Sequence, residues 1–547
     1  MPGAELDTDR GPLVLGPVLR RVEGDRATVW VETARPGTVE VDAGPASGAA
    51  RTFAVHGHHY ALVVVAGLPP DAATPYRLKI DGAVVWPLPD DPCPPPVIRT
   101  RRAGAPVRLV FGSCRKASPL SLTRYPPDAL DAYAGRLIDS IRSDAPTQWP
   151  DLLVLLGDQV YADETPQKIQ HWLHGRRRHR PADAPATQVV DFHEYTKLYL
   201  DSWTDPEIRW LLSTVPSVMI FDDHEIIDDW NTSQRWRDRM AGLSWWGRRI
   251  QAGLASYWVY QHMGNLSPGA LAECPVYAAV TSTPDATAVL DEFGARADRD
   301  RASYRWSYAL NIDRTRLVVL DNRAARQLEQ GHRAMLPDSE WNWFTGQLPG
   351  DYDHLLIGSS LPWLLPPAIH HLEAATERLA ESPRGWVGAF GEKLRQAVDL
   401  EHWAAFGRSF DALSALIAQL GTGASAPATI SVLSGDVHHS YAARAFLGTE
   451  VVSAVHQLTC SPVHNDMPKL IRPAMKFGWN PPAARVMRSV ARSLGLRRPA
   501  VRWRKIADPY FGNAVGLLLI EGRTAHVSIQ GTLPDKTLRE VAALKLS

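Results

Sequence analysis

Thiol, phenol, imidazole and carboxylate side chains recur in this chain at one kind of place, directly after a short apolar run. Phe111-Gly112-Ser113-Cys114, Leu156-Gly157-Asp158-Gln159-Val160-Tyr161, Phe221-Asp222-Asp223-His224-Glu225 and Leu433-Ser434-Gly435-Asp436-Val437-His438-His439 each close such a run. Two more runs end in Asp321-Asn322-Arg323 and Gly358-Ser359-Ser360. Asp158 and Tyr161 offer a carboxylate and a phenol three residues apart. Asp223-His224 and Asp436-Val437-His438 add carboxylates and imidazoles, and Cys114 adds a thiol. Several carboxylates cannot stay ionised side by side without compensating positive charge. Two metal ions about 4 Å apart would supply it and would suit phosphate-ester hydrolysis. Phenolate and thiolate together favour a ferric-type ion, because both donate strongly to a high charge; a second ion with oxygen donors only could be calcium, magnesium or manganese.

Each residue also has a plainer use. Asp and Ser at strand ends commonly cap helices and turns. Cys114 could be a buried structural thiol, Tyr161 a core tyrosine, and His439 and His464 packing residues. Arg115 and Arg323 could clamp phosphate bidentately or lie in salt bridges. Six strand ends with histidines and a Cys among them nevertheless read as one converging site.

The runs that carry these motifs, near residues 107–111, 151–156, 215–221, 317–320, 354–357 and 429–433, are continuously apolar, as strands buried on both faces are. In α/β sheets, sites gather beyond the carboxyl ends of such strands. The first hundred residues differ: apolar and polar residues alternate at 27–32, 38–41, 60–65 and 76–80, with turn residues between. That pattern predicts a small antiparallel β-sandwich of immunoglobulin or fibronectin type. The proline-rich stretch 87–106 reads as a linker. The expected organisation is a sandwich and linker over 1–103 and a catalytic domain over 104–547 with insertions near 165–200, 366–425 and 466–505. Residues 514–520 and 525–529 predict a hairpin closing a sheet. In the 466–505 segment, with eleven Lys/Arg against one acid, Arg485, Arg488 and Arg492 share a helix face and Val486, Val490 and Leu494 another. We expect the apolar stripe to pack on the domain and the charge to face water, with membrane contact as the alternative.

The chain has 547 residues, 59 basic and 59 acidic, which argues against a nucleic-acid or anionic-membrane binder acting through net charge. Four scattered cysteines form neither a disulfide framework nor a zinc knuckle. No transmembrane run is evident. Arg20-Arg21 is followed by a polar stretch rather than a signal core, so the expected compartment is the cytoplasm.

In their order along residues 105–530, five of these motifs (those at Cys114, Asp158–Tyr161, Asp222–Glu225, Asp321–Arg323 and Asp436–His438) resemble the PhoD-like alkaline phosphatases, a branch of the binuclear metallophosphoesterases related to purple acid phosphatases. The resemblance implies a four-layer αββα sandwich of two mixed sheets. It also implies a centre of Fe(3+) plus Ca(2+), or Mg, Mn or Zn in its place. Cys114, Tyr161 and His438 would hold the ferric ion, Asp158 would bridge, and Asp223 and Asp436 would complete the second set. His224 would assist the leaving group while a metal-bound hydroxide attacks phosphorus in line. Where the family commonly has Asn-Asn-Trp, this chain has Asp228-Asp229-Trp230-Asn231. The expected substrate is a small or polymeric phosphate ester, monoester or diester. Two alternatives of other kinds are a non-catalytic phosphate- or lipid-binding protein keeping this fold, and a metal hydrolase acting on a non-phosphate bond.

Overall fold

The computed structural model describes residues 11–116, 125–146, 148–177, 184–382, 384–397 and 400–547. Ten strands come first: β1 (Leu13–Glu23), β2 (Arg26–Thr33), β3 (Thr38–Ala43), β4 (Ala46–Arg51), β5 (Phe53–Val55), β6 (His58–Ala66), β7 (Ala73–Pro75), β8 (Arg77–Ile80), β9 (Ala83–Trp86) and β10 (Val97–Arg99). Seven of them pair in the order β1-β2-β6-β4-β3-β8-β9, with β5 also on β6 and β7 paired with β10; β4 and β6 meet only at Ser47 and Ala66, so the sheet folds into two leaves. Alternate residues of both leaves, Val29, Val31 and Val63 from one and Val39, Val41 and Leu78 from the other, share one core. This is the period-2 pattern of a sandwich.

Buried polar groups fasten the sandwich to the larger C-terminal part of the chain. The guanidinium of Arg20 donates to the carbonyls of Ser217 (3.1 Å), Tyr260 (2.9 Å) and Gln261 (2.7 Å) and to Asn265 Oδ1 (2.9 Å). Tyr260 Oη donates to Glu32 Oε2 at 2.8 Å. The Arg20-Arg21 pair thus works as a strut inside the fold.

Two further sheets face each other. The first is built from β11 (Val107–Gly112), β12 (Leu152–Leu156), β13 (Ser217–Ile220), β21 (Ala514–Glu521), β22 (Thr524–Thr532) and β23 (Leu538–Lys545), in the order β13-β12-β11-β21-β22-β23. The second is built from β14 (Tyr308–Ile312), β15 (Thr315–Leu320), β16 (His354–Ser359), β17 (Thr429–Ser434), β18 (Ser440–Phe446), β19 (Ala454–Thr459) and β20 (Arg502–Tyr510), in the order β14-β15-β16-β17-β19-β18-β20. Leu109, Phe111, Leu152 and Val154 pack against Leu317, Val319, Leu356 and Leu433 between the sheets. The intervening residues Val110, Leu153 and Leu155 face helices on one outer side, and Val318, Leu355 and Val432 face helices on the other. This alternation makes four layers: helices, two mixed sheets, helices.

β11, β12 and β13 are parallel, as are β15, β16, β17 and β19. Parallel strands finish at the same edge of their sheet, so the motif-bearing ends at residues 112, 156 and 220 lie together, as do those at 320 and 434.

One histidine sets an acid limit on this architecture. His262 closes a π-helical turn, Trp258–His262, among the rings of Tyr304 and Trp306, and neither ring nitrogen has a hydrogen-bond partner. Burial, helped by Arg20, lowers its pKa from 6.5 to about 3. The unfolded chain therefore takes up the proton first, and stability present above pH 6.5 drains away as pH falls toward about 3. At pH 4.5 this one group should cost about 2–3 kcal/mol relative to pH 7. Urea unfolding of His262→Phe at both pH values is expected to show a correspondingly smaller loss than the parent; an equal loss would clear His262 of the effect.

Candidate active site

The loop after β11 is laced into its neighbours by backbone. Cys114 N–H donates to Gly157 O (3.1 Å), Arg115 N–H to Asp158 O (3.0 Å) and Val463 N–H to Ser113 O (2.8 Å). Ser113 Oγ accepts from the N–H of Asp436 at 3.0 Å. A Cβ on Gly435 would lie 1.9 Å from that oxygen, so only glycine allows the approach. Cys114, Asp158, Asp436 and His438 all have positive φ, between 47° and 67°. Non-glycine residues hold that region at a cost, and here it re-aims four strand-end side chains toward one point.

Two loops and a helical turn meet on one carboxylate. Glu225 accepts from the N–H groups of Asp158 (3.1 Å), Gln159 (2.7 Å) and Asp222 (2.9 Å), and from Gln261 Nε2 at 3.1 Å. Ligand atoms of Asp158, Asp222, Asp223 and Asp436 consequently lie within 4.8 Å of one another, and those of Asp158, Asp223 and His224 form an overlapping group. Burial and the neighbouring carboxylates hold Asp158 and Asp222 well above the ordinary carboxyl range, although His224 and Arg323 respectively oppose this. Asp158 Oδ1 and Asp222 Oδ2 are buried without a hydrogen-bond partner. Crowded, like-charged oxygens with unused lone pairs fit divalent or trivalent cations.

Softer donors stand near Asp158. Asn465 Nδ2 donates to Tyr161 Oη at 3.0 Å and lies 3.5 Å from His438 Nε2. Cys114 Sγ is 3.7 Å from the carbonyl of Asp436. Burial, then the charges of Asp158 and Asp436, push the Cys114 thiol well up, and burial, Cys114 and Asp158 do the same to the Tyr161 phenol. Phenolate and thiolate in this position call for a strongly charged ion beside them.

The His224 ring lies 4.5 Å from the Tyr161 ring, tilted by 34°, and its Nδ1 meets Asp163 at 2.9 Å and 3.1 Å. Burial opposes a cationic imidazole, but Asp163 and Asp223 outweigh it and raise its pKa well above the usual value. The Asp228-Asp229 departure is accommodated through backbone. Asp228 N–H donates to Asp163 (2.6 Å) and Asp229 N–H to Asp223 (2.9 Å), bonds that Asn or Asp makes equally well.

The two arginines are engaged otherwise than as phosphate clamps. Arg115 gives Nε to Asp128 (2.7 Å) and Nη1 to the Ser202 carbonyl (2.7 Å). Arg323, with no solvent exposure, bonds Asp222 and Glu401 and lies 3.5 Å from both Asp223 and Asp436. Both guanidiniums are thereby held inside the protein, Arg115 by Asp128 and Ser202 and Arg323 among the carboxylates of the cluster. Two of the six strand ends do the plainer work: Asp321 caps the turn at Arg323, Ala324 and Ala325, and Ser359 and Ser360 bond Asn322.

Sequence reasoning missed Asp222, Asp163, Glu225, Asn465 and a pair from the 366–425 insertion, Glu401 and His402. His402 bridges Glu373 (2.7 Å) and Asp436 (3.1 Å). Asp222 and Glu225 stood inside a recognised motif; nothing local marks His402. In the 165–200 insertion, Arg176 and Arg177 pair with Glu194, and Arg178, His179 and Arg180 lie outside the described residues.

The sequence matches the PhoD-like phosphatase family over residues 139–473. That span includes every residue of the acidic cluster but not Cys114. Residues 10–98 match a domain of unknown function, DUF7800. No curated protein matches the sequence. Among solved structures, one described as the structure of PhoD superposes with a TM-score of 0.58 at 13% identity, covering 98% of this chain and 93% of that one. Purple acid phosphatase PPD1 from yellow lupin (Lupinus luteus) seeds gives 0.49 at 10% identity, covering 97% and 74%.

Proposed function

The chain belongs to the PhoD-like phosphatase family, and from that membership we propose that it hydrolyses phosphate esters at a binuclear metal centre at the strand ends. The observation that carries this reading is the meeting of four carboxylates within 4.8 Å, beside a thiol, a phenol and an imidazole. Cys114, Tyr161 and His438 would hold an iron, Asp158 would be shared, and Asp222, Asp223 and Asp436 would hold a second ion such as calcium, magnesium, manganese or zinc. When bound, the ions supply Lewis acidity that activates water and offsets charge on the transferring phosphoryl group.

The protein's own groups do the rest. Asp163 fixes the Nδ1 side of His224, and Nε2, 3.9 Å from the Asp228 carboxylate, would carry a proton toward the leaving oxygen. Glu225 keeps the loops after β12 and β13 at one spacing. Arg323 holds Asp222 beside Asp223 and Asp436 before any ion arrives. No acyl- or phosphoryl-enzyme is called for, because Ser359 and Ser360 are engaged with Asn322 and lack a nucleophile elbow. Hydrolysis as such is a family property; the ester class is a matter for assay with aryl phosphate monoesters and bis-esters.

Elemental analysis with a visible spectrum tests the centre. About one iron per chain, a second divalent ion and a tyrosinate-to-iron band are expected, with the band lost in Tyr161→Phe. A colourless, metal-free protein whose activity survives chelation would overturn the reading.

A further inference from the structure

The basic 466–505 segment turns its charge to water as its sequence pattern suggests, but its apolar stripe does not pack inward. Helix Pro481–Ser493 buries its alanines, Ala483, Ala484 and Ala491, while Val486 is 62% exposed and Val490 42% exposed. The valine stripe therefore faces outward together with Arg485 and Arg492. The preceding helix, Arg472–Gly478, does the same: Phe477 is 61% exposed and Leu470, just before it, 91% exposed, each directly following an exposed lysine, Lys476 and Lys469. Both helices pack on helix Pro367–Ala380, as does helix Gly385–Ala397. This last helix exposes Trp386 and Phe390 one turn apart, with Lys393 next on the same face.

Single exposed apolar side chains are ordinary. Large ones recurring beside lysine and arginine on three helices of one cap form the composition of an interfacial surface, with apolar tips for the acyl boundary and cations for the headgroups. We propose that this cap docks on an anionic lipid bilayer. Charge complementarity selects that occupant. Ahead of β20, residues 466–501 carry eight Lys/Arg against one acid, and that acid, Asp466, already pairs with Arg472 at 2.5 Å. A second copy placed symmetrically on this face would oppose cation to cation. A nucleic-acid face would have no use for bare Leu470 and Val486.

The cap also joins the site directly. Asn465, which bonds Tyr161, lies five residues before Leu470. A bilayer under the cap would bring membrane-borne phosphate esters to the strand ends, so the substrate class we infer is phosphate carried by lipid. This second step rests on the phosphatase reading; the docking does not.

Flotation of the full chain with vesicles of phosphatidylcholine, alone or mixed with phosphatidylglycerol, tests it. The protein should float with the mixed vesicles at low salt, far less with neutral ones, and less as salt rises. Leu470→Glu/Phe477→Glu and, separately, Arg485→Glu/Arg492→Glu should each weaken partition by at least about tenfold. Hydrolysis of a soluble aryl phosphate should stay unchanged, which shows that the variants are folded. Absence of flotation with anionic vesicles, or flotation unmoved by both double variants, overturns the proposal. So does a dimer broken by Leu470→Glu/Phe477→Glu, or preferential binding of an RNA oligomer. Failure of the phosphatase reading would instead appear as inactivity on soluble substrate and leaves flotation untouched.

Discussion

Asp158→Asn is expected to lower kcat on a soluble aryl phosphate by at least about a hundredfold while leaving the metal-free protein no less stable than the parent. The two halves have one cause. Asp158 shares a 4.8 Å cluster with Asp222, Asp223 and Asp436, and its Oδ1 is buried with no hydrogen-bond partner. An amide of the same shape removes one of four crowded charges and relieves repulsion in the metal-free state. The loop keeps its place because the Asp158 N–H, not its side chain, is what Glu225 holds. If, as proposed, Asp158 would be shared between an iron and a second ion, the same change takes a donor from both, and iron content should fall with activity. Activity within a factor of a few of the parent, or a clearly lower melting temperature of the metal-free variant, would mean that Asp158 serves the fold rather than the metals.

Arg323→Met is expected to have the opposite profile, with stability taking the first loss. The guanidinium is fully buried, bonds Asp222 and Glu401, and lies 3.5 Å from Asp223 and from Asp436. Removing one partner of a buried ion-pair network leaves its carboxylates uncompensated, at about 3–5 kcal/mol. Lysine should rescue little, because one ammonium cannot reach Asp222 and Glu401 in two directions as a planar fork does. Adding Glu401→Gln should recover part of the loss, since the two residues are coupled. Urea unfolding of metal-free and metal-loaded protein measures both effects. Bound cations should stabilise the variant more than the parent, because they take over the charge that Arg323 offset. An Arg323→Met protein as stable as the parent would refute this role.

How far each part of the site could be read from sequence depends on how local its cause is. Cys114, Asp158, Asp223 and Asp436 sit within a few residues of an apolar run, and a parallel strand delivers the residues after it to the sheet edge. His402 and Glu401 come from an insertion whose place depends on helix packing, and no spacing in the chain ties them to Asp436. Arg115 and Arg323 carry the right chemistry for phosphate. Their use was decided by Asp128 and Asp222, whose positions depend on elements 13 and 101 residues away. Asp321 shows the reverse: at a strand end like the others, it turns its oxygens to three backbone N–H groups.

The neutral balance of 59 acidic and 59 basic residues conceals two unlike regions, an acidic strand-end cluster and a basic helical cap. Sequence by itself determined the strands, their order of motifs and the chemistry they carry, because apolar run length and alternation are local consequences of burial on one face or two. Only the tertiary structure decided which polar groups meet. It turned Arg20-Arg21 into a strut, Arg323 into the counter-charge of the site, and the valines of helix Pro481–Ser493 toward solvent instead of the core. A helix has two faces that its own periodicity makes equally available, and the neighbour it packs on chooses between them.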